Sequence, residues 1–203
     1  LAATLTVSAT SGGDFASIQA AVDQAQAGDR IEVQAGTYET AVNPGGLDLH
    51  FLSVGEVLLL PLPGASTPIF TLNSNETLAT QIEGFHFAGG LAILTDQASA
   101  NLVGLDFDAS EQEGSLALLQ NGGEILIQTC NFSNGFAERG GQIQSINGSL
   151  TIQDSVFFRN RASLAGGAIW VDQGELHLTG TTFDENRCDF LGGAIALRGT
   201  TAW

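Results

Sequence analysis

The residues best placed to do chemistry are three acids around an arginine. Asp184, Glu185 and Asp189 flank Arg187, and Arg161 stands 26 residues before it. Carboxylates gathered on one face can act as general acid and base. The plainer use of the same set is an ion-paired, solvated face, where the acids offset two like charges about 5 Å apart. Asp106 and Asp108 form a second candidate, since residues two apart on a strand share a side. The histidines, His50, His86 and His177, show no metal-ligand spacing. No nucleophile elbow, phosphate loop or Cys/His pairing is present, so no catalytic residue, no metal ligand and no cofactor is assigned from these patterns. Asn75, Asn131 and Asn147 open Asn-x-Ser/Thr triplets and are candidate glycan acceptors; ordinary turn and ladder asparagines are the plainer reading.

What must position these residues is a unit written repeatedly. IQTCNF (127–132), IQDSVF (152–157) and LTGTTF (178–183) are each followed by a polar turn and a glycine pair, at 140–141, 166–167 and 192–193. Fainter copies are IEGFHF (82–87) and LVGLDF (102–107). The Phe-to-Phe steps are 20, 25, 25 and 26 residues, a period that signals a solenoid. The units hold short apolar runs alternating with period 2 and lack the dozen-residue amphipathic stretches of helical repeats. The leucine-rich repeat is the main rival, and its Asn-closed consensus is missing. The expected fold is therefore all-β: a right-handed parallel β-helix whose coils lie about 4.8 Å apart. Phe87, Phe107, Phe132, Phe157 and Phe183 then form one inward column. In that frame Asp106 and Asp108 meet Asn131 and Ser133, then Val156 and Phe158, so the acidic column does not persist. The three histidines share no column. Asn160 and Asn186 should stack and bond along the axis, in a turn where Asn tolerates left-handed backbone.

At 203 residues the chain can bury one sizeable core, and a single domain, 1–203, is expected. Hydrophobic residues make up 43 %, charged ones 14 %, and there are 26 glycines. Against 22 acids stand six bases, all arginine, for a formal charge of −16. Such a surface repels nucleic acid and anionic lipid, so neither is an expected partner. No apolar run reaches the roughly 20 residues that span a bilayer, so no membrane insertion is expected. With no Met and Leu1 first, a processed form or a fragment is expected. Cys130 and Cys188 fall two coils apart in different columns, too far for a disulfide, and should pack as small core residues.

From Phe15 to Ala27 the apolar residues Ile18, Ala21, Val22 and Ala25 recur at helical spacing, with Ser17 or Asp14 as N-cap. A helix at about 15–27 would cap the first coil. Leu47 to Phe51, Glu56 to Leu60 and Ile69 to Leu72 should be strands, and Pro44, Pro61, Pro63 and Pro68 lie between them.

The stretch Phe15, Ser17, Ile18, Gln19, Ala21, Val22, Ala25, Gly28-Asp29, Ile31, Val33, Gly36-Thr37-Tyr38 resembles the opening of right-handed parallel β-helix proteins of the pectin-lyase-like superfamily. FRNRASLAGGAI (158–169) and FDENRCDFLGGAI (183–195) resemble the Phe-x-x-Asn and Gly-Gly-Ala-Ile repeats of bacterial polymorphic outer-membrane proteins and similar surface adhesins. The copy at 132–143 departs: Gly135 replaces the Asn and Gln142 the Ala. The superfamily contains lyases, hydrolases, adhesins and scaffolds, so the resemblance is specific for fold. It implies an extracellular or cell-surface, non-enzymatic scaffold or adhesin, a glycoprotein that associates with itself through its coil ends and can stack into a fibre, with glycans as further partners. The alternative it implies is a polysaccharide lyase or glycoside hydrolase acting on an extracellular glycan. In the lyase form Asp184, Glu185 and Asp189 would hold Ca²⁺ while Arg161 or Arg187 takes the proton. Passive carbohydrate binding by exposed Trp170 and Trp203 is a third expectation. The last copy ends without a polar cap, so a continuing domain or a neighbouring subunit is expected to cover it.

Overall fold

A computed structural model describes residues 2–10, 12–109, 114 and 116–202. Every ladder in it is parallel, and the strands stack rung upon rung as a β-solenoid. A long sheet of 14 strands carries two arms, joined where the 11-residue strand His50–Leu60 spans both. One arm runs through Asp106–Asp108, Asn131–Ser133, Val156–Phe158 and Thr182–Asp184; the other runs through Ala100–Val103, Glu124–Gln128, Ser149–Gln153 and Glu175–Thr179. A six-stranded sheet and a three-stranded sheet close the coil.

The register puts each phenylalanine on its counterpart: Phe87, Phe107, Phe132, Phe157 and Phe183 are Cα partners in turn. Their ring centroids lie 4.8, 4.9, 4.4 and 4.9 Å apart, with planes within 15° of parallel. These spacings repeat the inter-strand distance and fall in the favourable offset-stacked range. Ile82, Leu102, Ile127 and Ile152 form a second fully buried column.

The asparagines stack as expected; Asn160 is buried and Asn186 half-buried. Asn160 donates from Nδ2 to Asn186 Oδ1 at 2.9 Å, and its backbone N–H reaches the same oxygen at 3.0 Å. Its own Oδ1 accepts from Gly135 N at 2.9 Å. The left-handed residue is the one before: Asn134, Arg159 and Glu185 have φ of 57°, 54° and 52°. The two departures at 132–143 turn out to be one device. Where Gly135 has no side-chain amide, buried Gln142 reaches in and donates to Ser133 O at 2.7 Å and to Asn160 Oδ1 at 2.9 Å.

The paired glycines follow from coil packing. Gly140, Gly166 and Gly192 are left-handed, which glycine adopts freely. A Cβ on Gly141 or Gly167 would run into the carbonyl of the next rung's glycine.

The N-terminal helix is shorter than expected. It spans Ile18–Val22, with Ser17 as N-cap and Ile18, Ala21 and Val22 buried. The flanks are turns, because Asp29 takes the N–H groups of Gln26 and Ala3 instead. Asp14, the other candidate cap, bonds Thr6. Leu47 to Leu49 precede the strand expected at 47–51, which begins at His50, and the 56–60 segment belongs to that same strand. Cys130 is buried and Cys188 half-buried, and both are free thiols. Burial pushes the Cys130 thiol up to about 12. Among the described residues no helix is long and apolar enough to cross a membrane.

Phe132→Ala should cost about 3–5 kcal/mol in a urea titration, because it opens a cavity between two stacked rings. Val156→Ala, on the adjacent outward position, should cost less than about 1 kcal/mol. Equal losses at the two sites would show that the column does not carry the fold.

Candidate functional site

The outer faces hold two grooves and one open edge. The first groove, of about 440 Å³, is lined by Phe136, Arg159, Asn160, Arg161, Glu185 and Arg187. Arg161 and Arg187 are Cα partners, as the repeat frame requires. Arg161 donates to Asp189 at 2.8 Å and lies over the Phe136 ring at 5.3 Å. Arg159, overlooked in the sequence, donates to Glu185 at 2.6 Å and lies over Phe158 at 4.6 Å. Glu185 and Asp189 are thus each engaged by a guanidinium. Asp184 sits apart on an exposed strand end, in register with Phe158. Arg187 is the one arginine without an ion pair among the described residues.

The second groove, of about 520 Å³, is lined by Thr37, Glu56, Leu58, His86, Asp106 and Asp108, among others. His86 Nδ1 lies 3.2 Å from Asp106 Oδ2, and both side chains are about half exposed. Asp108 accepts from Asn134 Nδ2 at 3.1 Å. Two residues apart on one strand, Asp106 and Asp108 have Cα atoms about 6.7 Å apart. A groove with two such carboxylates and an imidazole can exchange protons with a bound hydroxyl. The 20-residue step from Phe87 to Phe107 contains the signal for this pairing, because it sets His86 beside Asp106. Comparing the histidines only with one another hides it. His50 and His177 lie elsewhere, His50 bonding Glu83 at 2.9 Å. The acidic column ends as expected, with Asn131 and Ser133 opposite Asp106 and Asp108.

Asn75, Asn131 and Asn147 are all exposed, the first and last in left-handed turns and Asn131 on a strand beside buried Phe132. Trp170 is half-buried, and the Arg139 and Arg198 guanidiniums lie over its ring at 5.4 and 5.9 Å. Arg198 is itself held by buried Asp172, through Nε at 2.6 Å and through NH2. That pairing draws the Asp172 carboxyl below its usual range and raises the Arg198 guanidinium. A ring so covered offers little free face for stacking on a sugar. The expectation for Trp203 lies outside the described residues.

The open edge is the last rung of the described residues, Thr182–Asp184, Arg187–Cys188, Ile195–Arg198 and Thr201–Ala202, which ends each sheet. Phe190 is 75 % exposed, Leu191 56 % and Leu197 44 %. Phe183 and Ile195, whose counterparts below are fully buried, are only partly so.

If the chain is secreted through a glycosylating host, each acceptor should add one glycan mass by intact mass spectrometry. Asn→Gln at 75, 131 and 147 should remove these masses one by one. A single unglycosylated mass would end the glycoprotein reading. No family model matches the chain, and no curated protein matches it. The likeness to the pectin-lyase-like superfamily and to surface-protein repeats therefore rests on the quoted motifs, whereas the parallel β-solenoid stands on the strand register itself.

Proposed function

We propose that the chain is a non-enzymatic extracellular or cell-surface solenoid, a scaffold or adhesin, that associates with itself. The observation that carries this reading is the solenoid itself: continuous parallel ladders over a stacked phenylalanine column, with Glu185 and Asp189 on the outer face already held by Arg159 and Arg161. The acidic, lysine-free composition and the three exposed acceptor asparagines support an extracellular setting. Association through the coil ends, including stacking into a fibre, belongs to the same reading, and glycans are candidate further partners.

A second reading is a glycan hydrolase or lyase. The groove of Glu56, His86, Asp106 and Asp108 favours it, since two carboxylates within about 10 Å are the minimum for glycoside hydrolysis. The Ca²⁺-lyase version at Asp184, Glu185, Asp189, Arg161 and Arg187 fits less well. Two of its three acids are held by guanidiniums, and no set of three ligating side chains converges among the described residues. No catalytic step is routed through Ca²⁺ there.

Sedimentation velocity over a dilution series should show concentration-dependent association that Phe190→Ser combined with Leu191→Ser abolishes. A single monomer boundary at the highest concentration would remove the assembly part. The enzymatic reading predicts turnover on a panel of neutral and acidic glycans, reduced at least about 100-fold by Asp106→Asn. Absence of turnover on every member discards it.

A further inference from the structure

Three Asn-Gly pairs occur in the chain, at 121–122, 134–135 and 147–148. In such a pair the glycine nitrogen can attack the asparagine side-chain amide, because glycine has no Cβ to hinder the approach. The reaction needs two groups free, the glycine N–H and the asparagine amide. The solenoid treats the three pairs differently.

At the first two pairs both groups are held. Gly122 N–H donates to Ile146 O at 2.8 Å, and Asn121 Nδ2 donates to Asp96 Oδ1 at 2.8 Å. Gly135 N–H donates to Asn160 Oδ1 at 2.9 Å, and Asn134 Nδ2 donates to Asp108 Oδ1 at 3.1 Å. At the third pair neither is held. Among the described residues Gly148 N–H donates to no acceptor, and the exposed Asn147 side chain makes no hydrogen bond.

Turn register is the cause. Gln97-Ala98, Gly122-Gly123, Asn147-Gly148 and Gln173-Gly174 are the same turn on successive rungs. Its first residue is left-handed each time, with φ of 55°, 71°, 56° and 53°. The N–H of that first residue always bonds the next rung, at 2.8, 2.8, 2.9 and 2.8 Å. The N–H of the second residue is used on none of these rungs among the described residues. Asn121-Gly122 sets its glycine in the first place, whereas Asn147-Gly148 sets it in the second. Packing imposes glycine there, since a Cβ on Gly148 would run into the Gln120 side chain.

We propose that Asn147 is a site of self-modification, converted to aspartate through a cyclic imide. The Gly148 nitrogen bonds to Asn147 Cγ, the Cγ–Nδ2 bond breaks, and the Gly148 proton ends on the departing ammonia. Water then opens the imide and leaves aspartate, or its β-linked isomer, at 147. Water is the only co-reactant. The product adds a negative charge to a chain already at −16 and destroys the Asn-Gly-Ser acceptor at 147–149. A glycan at Asn147 and this conversion therefore compete for one amide.

The conversion goes beyond the scaffold reading and does not depend on it. The test is incubation of the unglycosylated 203-residue chain at mildly alkaline pH, followed by peptide mapping with mass spectrometry. Replacement of NH2 by OH is followed in the peptides covering all three pairs, with the chain in urea as reference. In the folded chain Asn147 should convert at least about fivefold faster than Asn121 or Asn134, whose groups must first leave their hydrogen bonds. In urea the three rates should converge, because the hydrogen bonds that distinguish them are gone. Conversion at Asn147 no faster than at the other two in the folded chain overturns the proposal, whatever the urea reference shows.

Discussion

Parallel hydrogen bonding between successive coils forces each side chain to lie directly on its counterpart one rung away. Everything else in the molecule answers to that constraint. An inward position must suit itself as a neighbour, and phenylalanine does so at 4.4–4.9 Å centroid spacing with nearly parallel planes. The rings gain offset-stacking contact on both sides without any adjustment of the backbone. A residue that cannot stack on itself, or on what replaces it next door, is excluded from the column.

The same constraint governs the polar interior. The N–H donors of a buried amide are satisfied by hydrogen bonds that close along the axis. Asn160 and Asn186 close theirs with backbone groups of adjacent rungs. Gln120 does so in another corner, donating to Gly123 O and Ser149 O while accepting from Ser145. Gly135 and Gln142 show how strict the requirement is. When one rung gives up its ladder amide, a side chain seven residues away supplies the missing donor.

Outward positions answer to solvent and are free to vary from rung to rung. That freedom is why the acids at 106 and 108 are followed by Asn131 and Ser133, and why Arg159 and Arg161 pair with acids one rung on. It is also why the outer grooves cannot be inferred from the repeat consensus, which describes the inside. The His86–Asp106 contact depends on a 20-residue step within a series otherwise of 25 or 26. Arg159 enters its groove from a left-handed turn position that the repeat marks as polar and nothing more.

The amino-acid sequence by itself determined the solenoid, its parallel register, the phenylalanine column and the stacking of Asn160 on Asn186. These follow from period and residue type, because a fixed period brings equivalent positions of successive copies together. Tertiary structure alone decided the short extent of the N-terminal helix, where Asp29 captures N–H groups beyond the last turn. It alone decided the burial of Asn160, the Gln142 replacement and the engagement of Glu185 and Asp189 by arginines. Each of these depends on where a side chain points between rungs, a distance of a few ångströms that spacing along the chain does not encode.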